Sequence, residues 1–180
     1  IKNTNQSELI QMMVNRELKE FYPKRTVKIG KESLRVEGLS RKKELEDINF
    51  AAHRGEILGL TGLMGSGRTE LAMAIFGVNS IDGGKIYVHG RSYDINFPRK
   101  AMQLGLGYLP EDRQLQGLVL KLSLAENISL TDLEQISVKG VINFSAEYKQ
   151  AKKAIKDLHI KATGVDQKVR YLSGGNQQKV

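Results

Sequence analysis

Eight consecutive residues, Gly62 to Thr69, read Gly-Leu-Met-Gly-Ser-Gly-Arg-Thr and have the spacing of a phosphate-binding loop. In such a loop closely spaced glycines let backbone N–H groups approach phosphate oxygens, an approach that a Cβ atom would obstruct. The threonine hydroxyl is the group that normally binds Mg²⁺. The pattern therefore predicts a site for a nucleotide and Mg²⁺, with Thr69 as the metal ligand. Its candidate residues are Gly62, Leu63, Met64, Gly65, Ser66, Gly67, Arg68, Thr69 and Glu70.

The lysine that this motif normally carries is replaced by Arg68. Lysine is a compact point charge on a flexible stem, whereas arginine is a larger planar fork. We expect Arg68 to neutralise phosphate charge but to crowd the space between the terminal phosphates. The loop is accordingly predicted to bind nucleotide and to hydrolyse it slowly. The alternative is a glycine-rich turn between a strand and a helix that holds no ligand.

A second motif, YLSGGNQQKV, closes the sequence. Taken alone, it predicts little more than the start of a helix, because serine is a good N-cap. Together with the upstream loop, it resembles the signature motif of the ATP-binding cassette (ABC) ATPases. The longer form LSGGNQQK is similar to that of bacterial simple-sugar importers. The signature residues implied by this resemblance are Leu172, Ser173, Gly174, Gly175, Asn176 and Gln177.

The resemblance extends over nearly the whole chain. Within the family, the chain is most similar to the second of two cassettes fused in one polypeptide. In that second cassette, arginine commonly occupies the position of the lysine. The resemblance implies an α/β P-loop NTPase fold of the ABC type, with a β-rich front subdomain and a helical signature subdomain, truncated after the signature. Residues 1–30 resemble the end of a preceding cassette and a linker. Residues 31–117 would form the core with its antiparallel β subdomain, and residues 118–180 the helical subdomain.

The resemblance also implies a mechanism. ATP would be held between the phosphate-binding loop of one cassette and the signature of the other. The implied partners are the first cassette of the same polypeptide, transmembrane permease subunits and, indirectly, a solute-binding protein, at the cytoplasmic face of the bacterial plasma membrane. The expected cargo is a monosaccharide such as ribose. The alternatives are import of autoinducer-2 and a regulatory domain that binds nucleotide without hydrolysing it.

Three features depart from the family pattern. Glu111 stands where most cassettes have a glutamine that senses Mg²⁺ and contacts the permease, and we expect Glu111, Asp112 and Arg113 to form a salt-bridged loop corner. LSRKKELEDI offers no aromatic residue to stack on adenine. The segments that carry the Walker B acid, the catalytic glutamate and the switch histidine do not occur in this sequence, so the fragment alone is expected to be inactive.

Hydrophobic periodicity indicates the elements that position these motifs. SLRVEGLS and LEDINFAAH read as strands, and GEILGL as a short strand buried on both faces. RTELAMAIFG and NFSAEYKQAKKAIKDLHI read as helices, the latter with Tyr148, Ala151, Ile155 and Leu158 on its apolar face. GGKIYVHG reads as a strand, and a further short strand is expected before Pro110. A helix is predicted around SELIQMMVNREL, followed by a break at Pro23.

Composition excludes several other classes. There is no cysteine, which rules out a disulfide scaffold and thiolate metal sites. His53, His89 and His159 show no metal-ligand spacing. The net charge is +8, but the basic residues are scattered and lie beside acids, so nucleic acid is not an expected partner. A DNA-acting ATPase with an ABC-like head would show long coiled-coil heptads, and the sequence has none.

Overall fold

The computed structural model describes residues 27–180 and Met12. The chain divides into two compact units, of which the first ends at Asn96 and the second runs from Phe97 to Val180. Apart from Met12, the predicted N-terminal helix and the break at Pro23 lie outside the described residues. The subdomain boundary between residues 117 and 118 stays a prediction.

The first unit contains an antiparallel sheet of four strands in the order β2-β1-β3-β4. The buried side chains of this sheet include Val36 and Leu39 of β1, Leu45 of β2, and Ile86 and Val88 of β3, the last two alternating along their strand. The strands predicted at SLRVEGLS, LEDINFAAH and GGKIYVHG are therefore confirmed. Their bounds are β1 Glu32–Arg41, β2 Leu45–His53, β3 Gly83–Val88 and β4 Arg91–Tyr93.

A helix, α1, follows the glycine-rich loop from Arg68 to Ile75, as predicted. Leu71 and Ala74 are buried on one face of α1. Gly77, in the left-handed region at φ 76°, follows the helix and ends it. The sequence thus produces the loop-then-helix arrangement that a phosphate-binding loop needs.

The strand predicted at GEILGL is not formed, and this expectation was wrong. Residues 56–63 have no regular secondary structure, and Ile57 is 97% exposed. A strand that is buried on both faces needs paired neighbours and covering helices. In the described part of the first unit, no strand pairs with this segment, so its apolar side chains stay at the surface. The short strand expected before Pro110 is also absent, since residues 106–110 are irregular.

The second unit is largely helical, as the sequence predicts for the back half. Its elements are α2 Pro98–Gln103, a π-helical turn Arg113–Gly117, α3 Leu124–Leu130, α4 Leu133–Ile136, the hairpin strands β5 Ser137–Val138 and β6 Val141–Ile142, α5 Phe144–Asp157, a 3₁₀ turn Val169–Tyr171 and α6 Gly174–Gln177. No helix in the described residues is long and apolar enough to cross a membrane.

One apolar core organises the second unit, and it includes the first residue of the signature. The core residues are Leu124, Ala125, Ala151, Ile160, Val165, Val169 and Leu172. Helix α3 enters this core through a capping box, in which Ser123 and Glu126 each accept a hydrogen bond from the other's backbone N–H. Hydrogen bonds to the Glu126 carboxyl from the backbone N–H and the side chain of Ser123 lower the pKa of Glu126.

The apolar face predicted for α5 is correct in part. Ala151 is buried and Ile155 packs against the core, but Tyr148 is 39% and Leu158 is 50% exposed. Tyr148 instead donates a hydrogen bond from its hydroxyl to Asp166, and this bond raises the pKa of Tyr148. Tyr148 lies at the edge of the core because its ring is apolar, whereas its hydroxyl group needs a hydrogen-bond partner.

Candidate functional site

The glycine-rich loop is a turn followed directly by helix α1. The N–H of Ser66 donates to the carbonyl of Leu63 at 3.1 Å, and Gly65, the third residue of this turn, has φ 79°. A positive φ at the third position is what a type II turn requires and what glycine adopts without strain. The turn also brings Ser66 so close to Gly62 that a Cβ at Gly62 would lie 2.3 Å from the Ser66 hydroxyl oxygen.

Gly67 joins the turn to the helix. It has φ 83°, and its carbonyl accepts the first helical hydrogen bond, from the N–H of Leu71 at 2.8 Å. No side chain caps this helix end. The N–H groups of the first turn therefore have no partner within the helix, and they carry the positive end of the helix dipole. This is the arrangement that binds phosphate at a helix N-terminus.

Gly67 also sits against the turn between β1 and β2. A Cβ at Gly67 would lie 3.0 Å from the Glu44 carbonyl oxygen and 3.1 Å from Leu45 Cδ2. Gly65 has a similarly positive φ, but a Cβ there would have no atom within 4 Å. The two glycines thus separate the cost of a strained φ from the cost of steric contact.

We expect Gly67→Ala to lower the nucleotide affinity of this loop about tenfold, because the new Cβ forces the helix start away from Glu44. The strained φ, which costs about 1–2 kcal/mol of stability, is common to Gly67→Ala and Gly65→Ala. Gly65→Ala is the matched control, and its effect should be several-fold smaller. The measurement is titration of the full-length protein with a fluorescent ATP analogue. Equal losses for the two variants would contradict the role of the Glu44 contact.

The three residues that open helix α1 are placed as the sequence predicts. Arg68 is exposed, and its Cδ lies 4.0 Å from the position of a Cβ on Gly62, so its stem passes over the loop. Among the described residues Arg68 forms no ion pair, which leaves its guanidinium available to an anion. Thr69 and Glu70 are half-buried in the first turn. The negative charge of Glu70 interacts favourably with the positive end of the helix dipole but repels phosphate.

The metal prediction rests on one hydroxyl. The described residues contain no cluster of three or more His, Asp or Glu side chains that could hold a metal ion. Mg²⁺ bound to nucleotides keeps several waters and takes few protein ligands besides the phosphates. The Thr69 hydroxyl at the helix start fits a single ligand of that kind.

An open depression of about 680 Å³ lies at the turn between β1 and β2, next to Gly67. It is lined by residues 40–46 and Asp82, and no aromatic side chain contributes. Asp82 accepts a hydrogen bond from the N–H of Lys42 at 2.6 Å, and Arg41 is paired with Glu44. A base held here would contact aliphatic stems and the Arg41 guanidinium, as the missing aromatic in LSRKKELEDI predicts.

The signature residues begin a short helix in the second unit. Ser173 occupies the N-cap position with φ −63° and ψ 154°, but its side chain does not cap the helix backbone. Its Oγ instead accepts a hydrogen bond from Asn176 Nδ2 at 2.9 Å. The N–H groups of Gly174 and Gly175 are in the first turn and have no partner within the helix. The backbone here offers donors to an anion, as the resemblance implies.

The signature helix is held from two sides. Leu172 and Gln177 are buried, at 7% and 5% exposure. Gln177 Nε2 donates to the Val169 carbonyl at 3.1 Å. On the outer side, Lys179 Nζ donates to the His159 carbonyl at 2.9 Å. These contacts could not be predicted from the sequence, which shows only that the residues of NQQK are polar.

Glu111 lies on the same cavity as the end of the signature. The cavity has a volume of about 350 Å³ and is lined by Glu111, Arg113 and Gln177 among others. The predicted salt-bridged corner is wrong, because no ion pair joins Arg113 to Glu111 or Asp112. Asp112 instead caps the π-helical turn by accepting from the N–H groups of Gln114 and Leu115.

Arg113, which the sequence assigned to a local salt-bridged corner, instead lies near the signature. Its Nε lies 3.4 Å from Gln177 Oε1, and its Nη2 would lie 3.0 Å from a Cβ on Gly174. Gln114 Nε2 also approaches Gln177 Oε1, at 3.3 Å. The structure thus brings the turn after Glu111 against the signature helix, although about 60 residues of sequence separate them.

His53 has a structural partner near the start of the irregular segment. Its Nδ1 lies 2.9 Å from Glu56 Oε2, and its N–H donates to the same oxygen at 2.7 Å. These two hydrogen bonds lower the pKa of Glu56. His53 is the last residue of β2, and the predicted turn follows it at Arg54 and Gly55.

Comparison with known proteins identifies related sequences over the whole chain. The family model described as ABC transporter matches residues 45–180. The ribose import ATP-binding protein RbsA of Geobacillus kaustophilus is 48% identical over 180 residues, which is 100% of this chain and 36% of that protein. RbsA of Bacillus subtilis is 43% identical, and the alignment again covers 100% of this chain and 36% of that protein. A putative ribose/galactose/methyl galactoside import ATP-binding protein of Agrobacterium fabrum is 44% identical, covering 96% of this chain and 35% of that protein.

Solved structures agree on the fold. A dimeric ATP-binding cassette in a post-hydrolysis state bound to ADP and Pi aligns with a TM-score of 0.64 and 19% identity, covering 81% of this chain and 66% of that one. CbiO1 of Clostridium perfringens, part of an ABC transporter complex, aligns with a TM-score of 0.62 and 21% identity. The alignment covers 83% of this chain and 59% of CbiO1. These likenesses confirm the predicted P-loop NTPase fold of the cassette type. The chain spans about a third of the length of the curated relatives it matches.

Proposed function

Because this chain belongs to the ABC transporter family, we propose that it is one of two ATP-binding cassettes of a bacterial importer and powers the uptake of a monosaccharide, with ribose as the first candidate. The observation that carries the proposal is the alignment of the entire chain with ribose import ATP-binding proteins at up to 48% identity. That alignment includes both the phosphate-binding loop and the signature.

The phosphate-binding loop would hold ATP through the backbone of Gly62–Thr69. The uncapped first turn of α1 supplies N–H donors, and Arg68 supplies a positive charge. Mg²⁺, held by the Thr69 hydroxyl and phosphate oxygens, would neutralise charge on the phosphates. Glu70, in the first turn of the same helix, opposes that charge. This balance supports binding with slow hydrolysis at this loop.

The signature would act on the nucleotide held by the other cassette. The hydroxyl of Ser173 and the free N–H groups of Gly174 and Gly175 would face its terminal phosphate, where negative charge develops during hydrolysis. Donors fixed in advance stabilise that charge without the cost of reorganisation. The two motifs of this chain would then serve two different ATP molecules.

We propose further that this chain is the second cassette of its polypeptide. Support comes from Arg68 in the lysine slot and from the resemblance of MMVNREL to the end of a preceding cassette. As such it would pair with the first cassette, dock on permease subunits at the cytoplasmic face of the membrane and serve a solute-binding protein through them. Glu111, on the cavity beside the signature, would lie in the loop that contacts the permease.

Import of autoinducer-2 by the same arrangement is the second candidate, because the segment YLPEDRQ, residues 108–114, resembles that of autoinducer-2 importers as well as that of ribose importers. A regulatory domain that binds nucleotide without hydrolysis is supported by Arg68 and Glu111, both of which depart from the catalytic pattern. Either would keep the loop and signature geometry described above.

The test is reconstitution of the full-length protein with its permease and binding protein in liposomes. We expect ribose to stimulate ATP hydrolysis severalfold and ATP to drive labelled ribose inward, because cassette closure and permease opening are coupled. Deletion of residues 172–177 is the control and should abolish both activities. Uptake of autoinducer-2 in place of ribose would favour the second candidate, and ATP binding with no hydrolysis under any condition would contradict the transport function.

A further inference from the structure

The environment of Ser173 contains a second polar side chain whose role the signature motif does not explain. Asn176, one turn further along α6, donates from Nδ2 to Ser173 Oγ at 2.9 Å. Asn176 Oδ1 accepts a hydrogen bond from the backbone N–H of Lys161, also at 2.9 Å. Both ends of one amide are thus used, one toward the signature serine and one toward a neighbouring loop.

The Lys161 contact fixes which way the amide of Asn176 faces. A backbone N–H can only donate, so the atom of Asn176 that faces it must be the oxygen. The nitrogen must then face Ser173. The loop that supplies Lys161 is anchored by Ile160, which is 5% exposed and belongs to the core, and by the bond from Lys179 to the His159 carbonyl. The direction of the amide is therefore set by the fold and not by Ser173.

The consequence concerns the hydrogen of the Ser173 hydroxyl. A serine hydroxyl has one hydrogen to donate and lone pairs that accept. When an N–H fills a lone pair, the hydroxyl hydrogen must point elsewhere. Ser173 is exposed, and its side chain makes no hydrogen bond to the helix backbone. The hydrogen is therefore turned away from Asn176 and is free to donate to a group that the signature faces.

We propose that Asn176 is a positioning residue that holds Ser173 as a hydrogen-bond donor toward the terminal phosphate of the nucleotide on the partner cassette. This inference rests on the proposed function, since it assigns a donor direction to the signature serine of an ABC cassette. Asn176 acts through Ser173 and need not touch the nucleotide. Its amide orients the hydroxyl before the cassettes meet, so that no reorganisation is needed when charge develops.

The sharpest variant is Asn176→Asp, which keeps the size of the side chain. One carboxylate oxygen can still accept from Lys161, but the other can only accept and would draw the Ser173 hydrogen toward itself. We expect kcat for ATP hydrolysis by the full-length, permease-bound transporter to fall about 100-fold, the loss expected for removing one such donor. KM for ATP should change less than about twofold, because the ground-state contacts of the phosphate-binding loops are intact.

Two further variants keep the test independent of folding and of simple charge. Asn176→Ala removes the orienting donor without adding charge, and we expect it to lower kcat about tenfold, since the hydroxyl then samples several directions. Gln178→Glu adds the same charge to an exposed amide two residues away and should keep more than half of the wild-type kcat.

A double-mutant cycle separates orientation from repulsion. If Asn176 acts through Ser173, adding Asn176→Asp to Ser173→Ala should lower kcat less than about twofold further. If the carboxylate merely repels phosphate, it should lower the Ser173→Ala rate by as large a factor as it lowers the wild-type rate. That additive result, or an Asn176→Asp variant with more than half of the wild-type kcat, would overturn the inference. A wild-type complex without ATPase activity would instead overturn the proposed function.

Discussion

Ser173→Ala is expected to reduce ATP hydrolysis by the full-length, permease-bound transporter about 100-fold, because it removes a hydrogen-bond donor aimed at developing charge. The structure gives this side chain no structural duty that would explain such a loss. It does not cap the signature helix, and within the described part of the chain its side chain takes part in one hydrogen bond, which it accepts from Asn176. The expected loss is therefore one of chemistry and not of stability.

The matched comparison is Arg68→Ala in the same complex. If the loop of this chain binds nucleotide and hydrolyses it slowly, Arg68 stabilises the ground state and the transition state equally. Arg68→Ala should then lower kcat less than about threefold. The two rates should be measured on one preparation, with thermal unfolding recorded for each variant. A larger loss for Arg68→Ala than for Ser173→Ala would show that the loop is a competent hydrolytic site and that the asymmetric assignment is wrong.

Both candidate motifs could be predicted from the sequence because each depends on local backbone chemistry. Gly65 and Gly67 adopt the positive φ values that make a phosphate-binding turn, and the helix follows at Arg68. Closely spaced glycines directly before a helix-forming segment indicate this arrangement within ten residues. The same holds for Ser173 at the start of a helix, where residue type alone indicates the position.

The GEILGL prediction failed because a buried strand is a property of its neighbours. The apolar run satisfies the pattern, but pairing requires strands on both edges, and the described first unit has none beside it. Periodicity reports which residues can be buried and not what will bury them. The failure at Ile57, which is 97% exposed, is of this kind.

The contacts of Arg113 and Asn176 were missed for a related reason. Arg113 reaches Gln177 across a long stretch of sequence, and Asn176 is oriented by a backbone N–H in a separate loop. Hydrogen bonds between distant segments leave no period and no fixed spacing. The adjacent acids Glu111 and Asp112 suggested a local ion pair, but Asp112 instead satisfies the free N–H groups at the start of a turn.

Among glycine-to-alanine changes in the described part of the first unit, Gly84→Ala should lower the free energy of unfolding most. A Cβ at Gly84 would lie 2.5 Å from both Cα and N of Leu39, and Gly84 has φ 93°. Those contacts are with the backbone of a fully buried residue and cannot be relieved by rotating a side chain. We expect the pairing of β1 with β3 to lose more than about 4 kcal/mol, the range reserved for severe clashes and strained backbone.

Two neighbouring glycines separate the contributions to this loss. Gly83→Ala has no atom within 4 Å of the new Cβ and should cost about 0.5 kcal/mol or less. Gly90→Ala also has open space but starts from φ 78°, so it should show only the conformational cost of about 1–2 kcal/mol. Hydrogen exchange of β1 and β3 amides in the full-length protein would measure all three. A Gly84 variant no less protected than the Gly90 variant would contradict the steric argument.

The Gly84 variant should also weaken nucleotide binding at Gly62–Thr69, although Gly84 is not in the loop. Strand β1 ends in the turn whose Glu44 carbonyl and Leu45 side chain lie against Gly67. If β1 separates from β3, that turn no longer fixes the helix start, and the first-turn N–H groups lose their common direction. A loss of binding of fluorescent ATP analogue that follows the loss of amide protection across the three variants would show that the antiparallel sheet holds the phosphate-binding loop in shape.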